Sequence, residues 1–133
     1  VFLEKNSNNM KIVIHTNFFK NDFSENESGS DYESESEYES ETINENIEEF
    51  VIENIKLQKW INININLIDN NLDVFIDGKL VNSFIINGYT KINTGSLNIC
   101  PDGGFNGYIT KLSYTNTSFG TKKIYNIYKL GPN

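Results

Sequence analysis

The chain of 133 residues contains no arginine and no alanine, and it has only one cysteine and two prolines. The single cysteine, Cys100, excludes an internal disulfide framework. No run of about 20 consecutive apolar residues is present, so the sequence predicts no membrane-spanning helix. The eleven lysines are dispersed, and the arginine that favours bidentate contacts to bases is missing, which argues against nucleic-acid binding. This length predicts one domain.

The net charge of −7 is unevenly distributed along the chain. Residues 21–53 contain thirteen Asp and Glu and no Lys, whereas the remainder contains eleven Lys and five acids. The Ser/Glu-rich run at 21–49 combines like-charge repulsion with little apolar surface, which predicts a disordered insertion. The sequence thus divides into N-terminal strands at 1–20, the acidic insertion at 21–49 and a main body at 50–133.

The acidic insertion also carries hydroxyl groups in a pattern that acid-directed kinases prefer. Six of them are followed by an acid three positions later, namely Ser24, Ser28, Ser30, Ser34, Ser36 and Thr42. Each phosphate would add about −1.5 to −2 charges. The insertion is interpreted either as a solvated spacer or as an electrostatic decoy that covers the basic body or attracts a basic partner.

The remaining sequence has the apolar alternation of an antiparallel β-protein. Strands are predicted at 10–16, 50–55, 60–68, 72–76, 80–86, 97–99 and 107–114. The dipeptide Asp77-Gly78 predicts a tight hairpin, because a type I′ turn requires positive φ at both central residues. One helix is predicted after Thr121, which could cap it, and Gly131-Pro132 would end it.

The stretch "WINININL" at 60–67 alternates two residue types for a whole strand. We expect its isoleucines to face the core and its asparagines to form a solvated face. Trp60 is expected in the core, since large aromatic side chains dominate cores. Asparagine and isoleucine are abundant throughout a chain without arginine or alanine, which matches codons rich in A and T and accounts for much of the asparagine.

Two groups of residues could contact a hydroxyl-rich ligand through amides, carboxylates and aromatic rings. The first lies on the asparagine face and on the strand expected to pair with it: Asn62, Asn64, Asn66, Asp73 and Phe75. The second lies along a predicted loop edge: Tyr89, Asn93, Asp102 and Asn106. His15 is mid-strand with no evident catalytic partner, and one His with one Cys cannot build a zinc site.

Five features follow one another along the chain: Trp60, Asp77-Gly78, "GGFNG" at 103–107, "YTN" at 114–116 and a predicted short helix near 124–128. In this order they resemble the pattern of the concanavalin A-like lectin/glucanase superfamily, and more narrowly of its laminin G/pentraxin-like branch. The ending "IYKLGP" is similar to versions from large DNA viruses. The resemblance covers residues 50–132 and implies an all-β antiparallel sandwich, a concanavalin A-like jelly roll with one short C-terminal helix.

The same resemblance sets expectations about completeness and chemistry. The family's domain is longer at its N-terminus, so we expect strands to be missing here and to come from a longer chain or from a partner. Glucanases of this fold use a Glu-x-Asp-x-x-Glu strand, and glycosidases generally need two carboxylates. This chain has no Glu-x-Asp and no glutamate after Glu53. Pentraxins hold calcium with several acids in the loop where this chain has only Asp102, too few for that cation.

The sequence therefore predicts a non-enzymatic, lectin-like module that binds carbohydrate or protein, without cofactor or metal, in a viral protein. The alternatives are a structural component of a virion or larger assembly, which uses the sandwich to contact other chains, and a fragment of a degenerate glucanase-type domain. A viral origin would place the protein in a virion or in host cytoplasm, and the sequence does not decide between them.

Overall fold

The computed structural model describes residues 1–19 and 43–132; for Phe19, Ile43, Asn44 and Asp102 it describes the backbone alone. These residues form seven strands, one 3₁₀ turn at Pro101–Gly103 and one α-helix. The strands are β1 (Phe2–Leu3), β2 (Met10–Phe19), β3 (Ile43–Ile52), β4 (Ile63–Ile68), β5 (Asn71–Ile76), β6 (Lys79–Ile85) and β7 (Tyr89–Thr90). The helix, α1, spans Thr121–Lys129.

The first sheet, sheet A, is built around the long antiparallel pair β2 and β3, which runs from Met10 opposite Ile52 to Phe19 opposite Ile43. The two-residue strands β1 and β7 pair with opposite ends of the free side of β2. The prediction of a disordered segment up to residue 49 is wrong for residues 43–49, because they extend β3. Their backbone groups form hydrogen bonds with β2. The density of charged residues in the sequence gave no indication of this pairing. The six phosphorylation candidates lie outside the described residues.

The second sheet, sheet B, is the meander β4–β5–β6. Ile76 pairs with Lys79, so β5 and β6 are joined by the two residues Asp77 and Gly78. Their φ angles of 52° and 73° confirm the predicted tight hairpin. The loop between β4 and β5 is equally short, since Ile68 pairs with Asn71.

The core lies between the two sheets. It consists of Met10, Ile12, Ile52, Ile55, Leu72, Val74 and Ile86. Residues with alternate spacing on β2 and β5 contribute to it, as their periodicity predicts. The expectation that Trp60 is buried is wrong: its side chain is 52% exposed, because it precedes β4 and lies where strand pairing has not begun. Two antiparallel sheets around one core confirm the β-sandwich class.

Two predicted strands do not form. Residues 91–100 and 104–120 have no regular secondary structure, so the predictions for 97–99 and 107–114 are wrong. Short apolar runs need a ladder partner to become strands, and none of the described strands pairs with them. Their large apolar side chains are exposed, among them Ile92, Leu97, Ile99, Tyr108, Leu112 and Tyr114.

The predicted C-terminal helix is present, and Ile124 is its fully buried residue. Its N-cap is Gly120, so Thr121 is the first helical residue and not the cap. Gly131, with a φ of 69°, ends it as predicted. The helix contacts sheet B at the β5–β6 turn. In the part of the chain that the structure describes, no helix is long and apolar enough to cross a membrane.

Candidate functional site

The structure brings together the first group of ligand candidates on one face of sheet B. Asn64 lies opposite Phe75, and Asn66 lies opposite Asp73, so these four side chains share a face. Asn62 lies one step further along the same face of the chain. The sequence therefore predicted the juxtaposition correctly. Whether the face binds a ligand depends on how many of these groups remain available.

Most polar groups of this face are used within the protein. The side chain of Asn66 donates to the carbonyl oxygen of Phe119 at 2.7 Å, and that of Asn64 donates to Asn62 Oδ1 at 2.5 Å. Asn66 is only 8% exposed, and Phe75 is 3% exposed. The expectation of a solvated asparagine face is therefore wrong at Asn66, which bonds to the segment leading into α1, while Asn62 and Asn64 are half-buried. Phe75 is too buried to stack on a ligand.

The carboxylates of sheet B also have structural partners. Ser83 Oγ donates to Asp73 Oδ1 at 2.5 Å. The backbone N–H of Asn62 donates to Asp77 Oδ1 at 3.0 Å, and Lys59 Nζ lies 3.7 Å from Asp77 Oδ2. These contacts support the hairpin role predicted for Asp77 and give each carboxylate at least one partner within the protein.

The second group of candidates is spread over several segments. Tyr89 is in β7 of sheet A and is 64% exposed. Asn93 and Asn106 are exposed in the irregular segments, and Asn93 Oδ1 accepts the backbone N–H of Gly95 at 2.8 Å. Asp102 belongs to the 3₁₀ turn, and its side chain is outside the description. These residues therefore share no strand and no sheet face.

The isoleucine side of β4 is more exposed than its asparagine side. Ile63, Ile65 and Leu67 are 39, 38 and 42% exposed, although Val74 and Leu72 on the neighbouring strand are almost fully buried. β4 is one of the two edge strands of sheet B, and none of the described strands lies beside the outer flank of its apolar row. The alternation correctly gave two faces, but it could not indicate which of them the helix and its preceding segment would cover.

The backbone of the same three residues faces away from the sheet. The N–H of Asp77 donates to the carbonyl oxygen of Asn62 at 2.8 Å, which makes these two a hydrogen-bonded pair. Such pairs alternate with non-bonded pairs along an antiparallel ladder. Hence Asn64, Asn66 and Ile68 bond to β5, while Ile63, Ile65 and Leu67 direct their N–H and C=O groups outward. No strand in the described ranges pairs with that edge.

The other sheet edges carry features that discourage pairing with a foreign strand. Short strands, charges and bulges blunt an edge. β1 and β7 have two residues each, and β3 carries Glu45, Glu48 and Glu49. β6 begins with Lys79, pairs with β5 through a bulge and contacts α1. β4 has none of these features: residues 60–68 contain no charge, no proline and no glycine. That charge-free run was the signal in the sequence that could have identified the edge.

A second arrangement that sequence reasoning missed is centred on Glu48. Its carboxylate accepts the backbone N–H groups of Asn87 and Gly88 at 3.0–3.1 Å, and the Asn87 side chain at 3.1 Å. Burial acts to raise the pKa of the Glu48 carboxyl, but these hydrogen bonds outweigh it and hold the pKa below its ordinary value of 4.5. Glu48 thereby fastens β3 to the connection between β6 and β7.

Gly88 allows this connection to approach sheet A closely. A Cβ atom at Gly88 would lie 2.7 Å from Thr16 Cβ and 3.0 Å from Phe18 Cε2. Thr16 is fully buried, so it has little room to move. Because Glu48 was assigned to the acidic insertion, and its partners are about 40 residues away in sequence, no local pattern could have revealed this contact.

No protein-family model, curated protein or solved structure matches this chain. Within the described residues, no group of three or more His, Cys, Asp or Glu side chains is placed to hold a metal ion. A function must therefore be inferred from the chain's own surfaces, of which the open edge of β4 is the most distinctive.

Proposed function

We propose that this chain is a non-enzymatic binding module that engages another polypeptide through the open edge of β4. The observation that carries the proposal is the combination at Ile63, Ile65 and Leu67 of outward-directed backbone groups and side chains that are 38–42% exposed. An unprotected edge of this kind is a template for an added strand. Strand addition takes affinity from backbone hydrogen bonds and selectivity from alternate side chains.

The side chains of β4 specify the kind of strand that would fit. An added strand would place every second side chain beside the apolar row of Ile63, Ile65 and Leu67, and the others beside Asn64 and Asn66. No charged residue lies between Lys59 and Asp69, so charge contributes little to selection in the middle of the strand. The best ligand is an uncharged extended segment with alternating apolar and polar residues.

We also propose that the fold is an incomplete concanavalin A-like sandwich, whose jelly-roll strands are completed from outside the described residues. Sheet B has three strands, and no described strand pairs with the outer edge of β4, which supports this assignment. In this form, the protein would serve as a structural component of a virion or larger assembly, and neighbouring chains would supply strands.

Carbohydrate binding is a second candidate, favoured by Tyr89. Its ring is 64% exposed at the edge of sheet A, where an aromatic side chain could stack on a sugar. The asparagine face offers less support, since Phe75 is buried and Asn66 is buried with its side chain bonded to the carbonyl oxygen of Phe119.

Site-specific photo-crosslinking in the native expression context tests the proposal. A photoreactive residue would replace Ile65 on the open edge or, as a control, Val81 on β6, which is 50% exposed. We expect crosslinks to polypeptide from position 65 and few from position 81. Equal yields at both positions, or none at 65, would contradict the proposal.

A glycan array with the wild-type protein and Tyr89→Ala tests the second candidate, since sugar binding lost in the variant would favour carbohydrate recognition.

A further inference from the structure

We infer that the strand received by β4 is β4 of a second copy of this chain. Two copies would pair antiparallel about a two-fold axis at Ile65 and join their three-stranded sheets into one sheet of six strands. This inference rests on the proposed function, because it names the partner for the same open edge. Symmetric pairing through one patch is the commonest way in which identical chains associate.

The hydrogen-bonding pattern of β4 is compatible with itself in this register. Ile65 would lie opposite Ile65 of the second copy, and Ile63 opposite Leu67. These are the three residues whose backbone groups point outward, so each bonding position meets another bonding position. A register shifted by one residue would oppose bonding and non-bonding positions and would mismatch the two faces.

The side chains are self-complementary in the same register. The alternation in β4 places isoleucine and leucine together on one face and Asn64 beside Asn66 of the second copy on the other. Side chains of directly opposed residues lie on the same face of a sheet and contact each other. The partly exposed row of Ile63, Ile65 and Leu67 would become internal to a continuous apolar layer. The Nδ2 groups of Asn64 and Asn66 already donate to Asn62 Oδ1 and to the Phe119 carbonyl oxygen, so a bond across the pair would use the second N–H and the Oδ1 of each carboxamide.

Charge also favours β4 of a second copy over a partner strand whose charged residues all have the same sign. The net charge of −7 makes two copies repel at a distance, but the pairing strand itself is neutral. At each end of the antiparallel pair, the nearest charged residues are Lys59 of one copy and Asp69 of the other, which are opposite in sign. Trp60, 52% exposed just before β4, adds apolar surface at both ends.

Sedimentation analysis across a concentration series tests for the dimer, with the full chain and two variants. Wild type is expected to shift from monomer to dimer as concentration rises. Ile65→Lys introduces a charge opposite its own copy and is expected to raise the dimer dissociation constant at least tenfold. Val81→Lys places the same charge on the other edge of sheet B and should leave dimerisation unchanged. Circular dichroism checks that both variants fold.

Disulfide trapping tests the register independently of stability. In a Cys100→Ser background, the Cα atoms of two copies of Ile65→Cys would lie about 5.5 Å apart, within disulfide range. Ile63→Cys is a matched control of equal exposure, but its two copies would be four residues out of register, about 14 Å apart. We expect rapid crosslinking of Ile65→Cys, little with Ile63→Cys alone, and recovery when Ile63→Cys is mixed with Leu67→Cys.

The outcomes separate this inference from the proposed function. A monomer at all concentrations, or equal trapping at positions 63 and 65, would overturn the second-copy assignment. If photo-crosslinks from position 65 then reach a different protein, the binding role of β4 stands with another partner. If they reach residues 107–114 of the same chain, the edge is covered internally and both proposals fail.

Discussion

At the scale of single residues, Glu48 shows how a charged side chain can replace a missing strand neighbour. Between Ile86 and Tyr89 the chain leaves sheet B for sheet A, and the N–H groups of Asn87 and Gly88 are not part of a ladder. The Glu48 carboxylate accepts both of them at 3.0–3.1 Å. Hydrogen bonds to a charged acceptor are stronger than neutral ones, so one side chain stabilises the crossing.

Replacing Glu48 with glutamine is expected to lower the free energy of unfolding by about 1–3 kcal/mol, because a neutral amide presents only one acceptor oxygen to these donors. Glu49→Gln is the matched control. Glu49 lies on the same strand and forms an ion pair with Lys11. The side chain of Glu49 is 52% accessible, so this pair is exposed to solvent. Exposed pairs of this kind contribute little to stability. Urea unfolding of both variants provides the measurement, and equal losses would contradict the special role of Glu48.

At the scale of secondary-structure elements, the turn and helix-end residues were reliable signals, whereas apolar alternation and charge density were not. The Asp77-Gly78 hairpin and the end of α1 at Gly131 follow from backbone conformations that few residues adopt, so the sequence predicted them directly. The extension of β3 to Ile43 depends on pairing with β2, which a charge-rich sequence concealed. The irregular backbone of residues 107–114 reflects a missing partner, although their alternation alone is typical of a strand.

The β5–β6 hairpin and α1 are coupled through Gly78. Gly78 has a φ of 73°, and a Cβ atom there would lie 3.0 Å from Tyr125 Cδ2 and 3.1 Å from Tyr128 Cβ. Gly78→Ala combines an unfavourable left-handed backbone with this close approach, so we expect a loss of stability of about 1–2 kcal/mol or more.

Gly78→Asn separates the two causes of that loss. Asparagine adds the same Cβ but tolerates positive φ better than alanine does. If backbone conformation dominates, Gly78→Asn will have a higher melting temperature than Gly78→Ala. If the contact with α1 dominates, both variants will melt at the same reduced temperature. A melting temperature equal to that of wild type for Gly78→Ala would show that the turn and helix are not coupled as the structure indicates.

At the scale of the whole molecule, the sequence and the structure favour different candidate sites. The sequence favoured the asparagine face of β4, whereas the structure favours its open edge beside the isoleucines. The sequence grouped Asn64 and Asn66 with Phe75 and Asp73 as residues of paired strands, and the two-residue loop found in the structure sets the register that places them side by side. It could not show that the segment before α1 would cover that face, since Asn66 and Phe119 are far apart in sequence. The exposure of Ile65 follows from strand order, which depends on which strands are present and not on local pattern.

The ion pairs and hydrogen bonds of sheet A also make stability depend on pH. The side chains of Asn9 and Ser7 donate to Glu4 and lower the pKa of its carboxyl. A hydrogen bond from Lys91 lowers the pKa of Glu45. With Glu48, three carboxyl groups on or beside one sheet therefore favour the charged form in the folded state. The unfolded chain, with glutamate pKa values near 4.5, binds protons at a higher pH than the folded protein does.

We therefore expect stability to be nearly constant from neutral pH to about pH 5 and to decrease progressively as pH falls through the lowered pKa values. The sign follows from the depressed folded-state pKa values: their contribution is present above 4.5 and is lost on acidification. Urea midpoints measured between pH 7 and pH 3 provide the test.

Glu48→Gln removes one of the three groups, so its midpoint should fall less steeply over this range. Added salt should weaken the Glu45–Lys91 contribution, because exposed charges are screened. A wild-type midpoint that rises on acidification would show that repulsion among the thirteen acids at 21–53 outweighs these contacts.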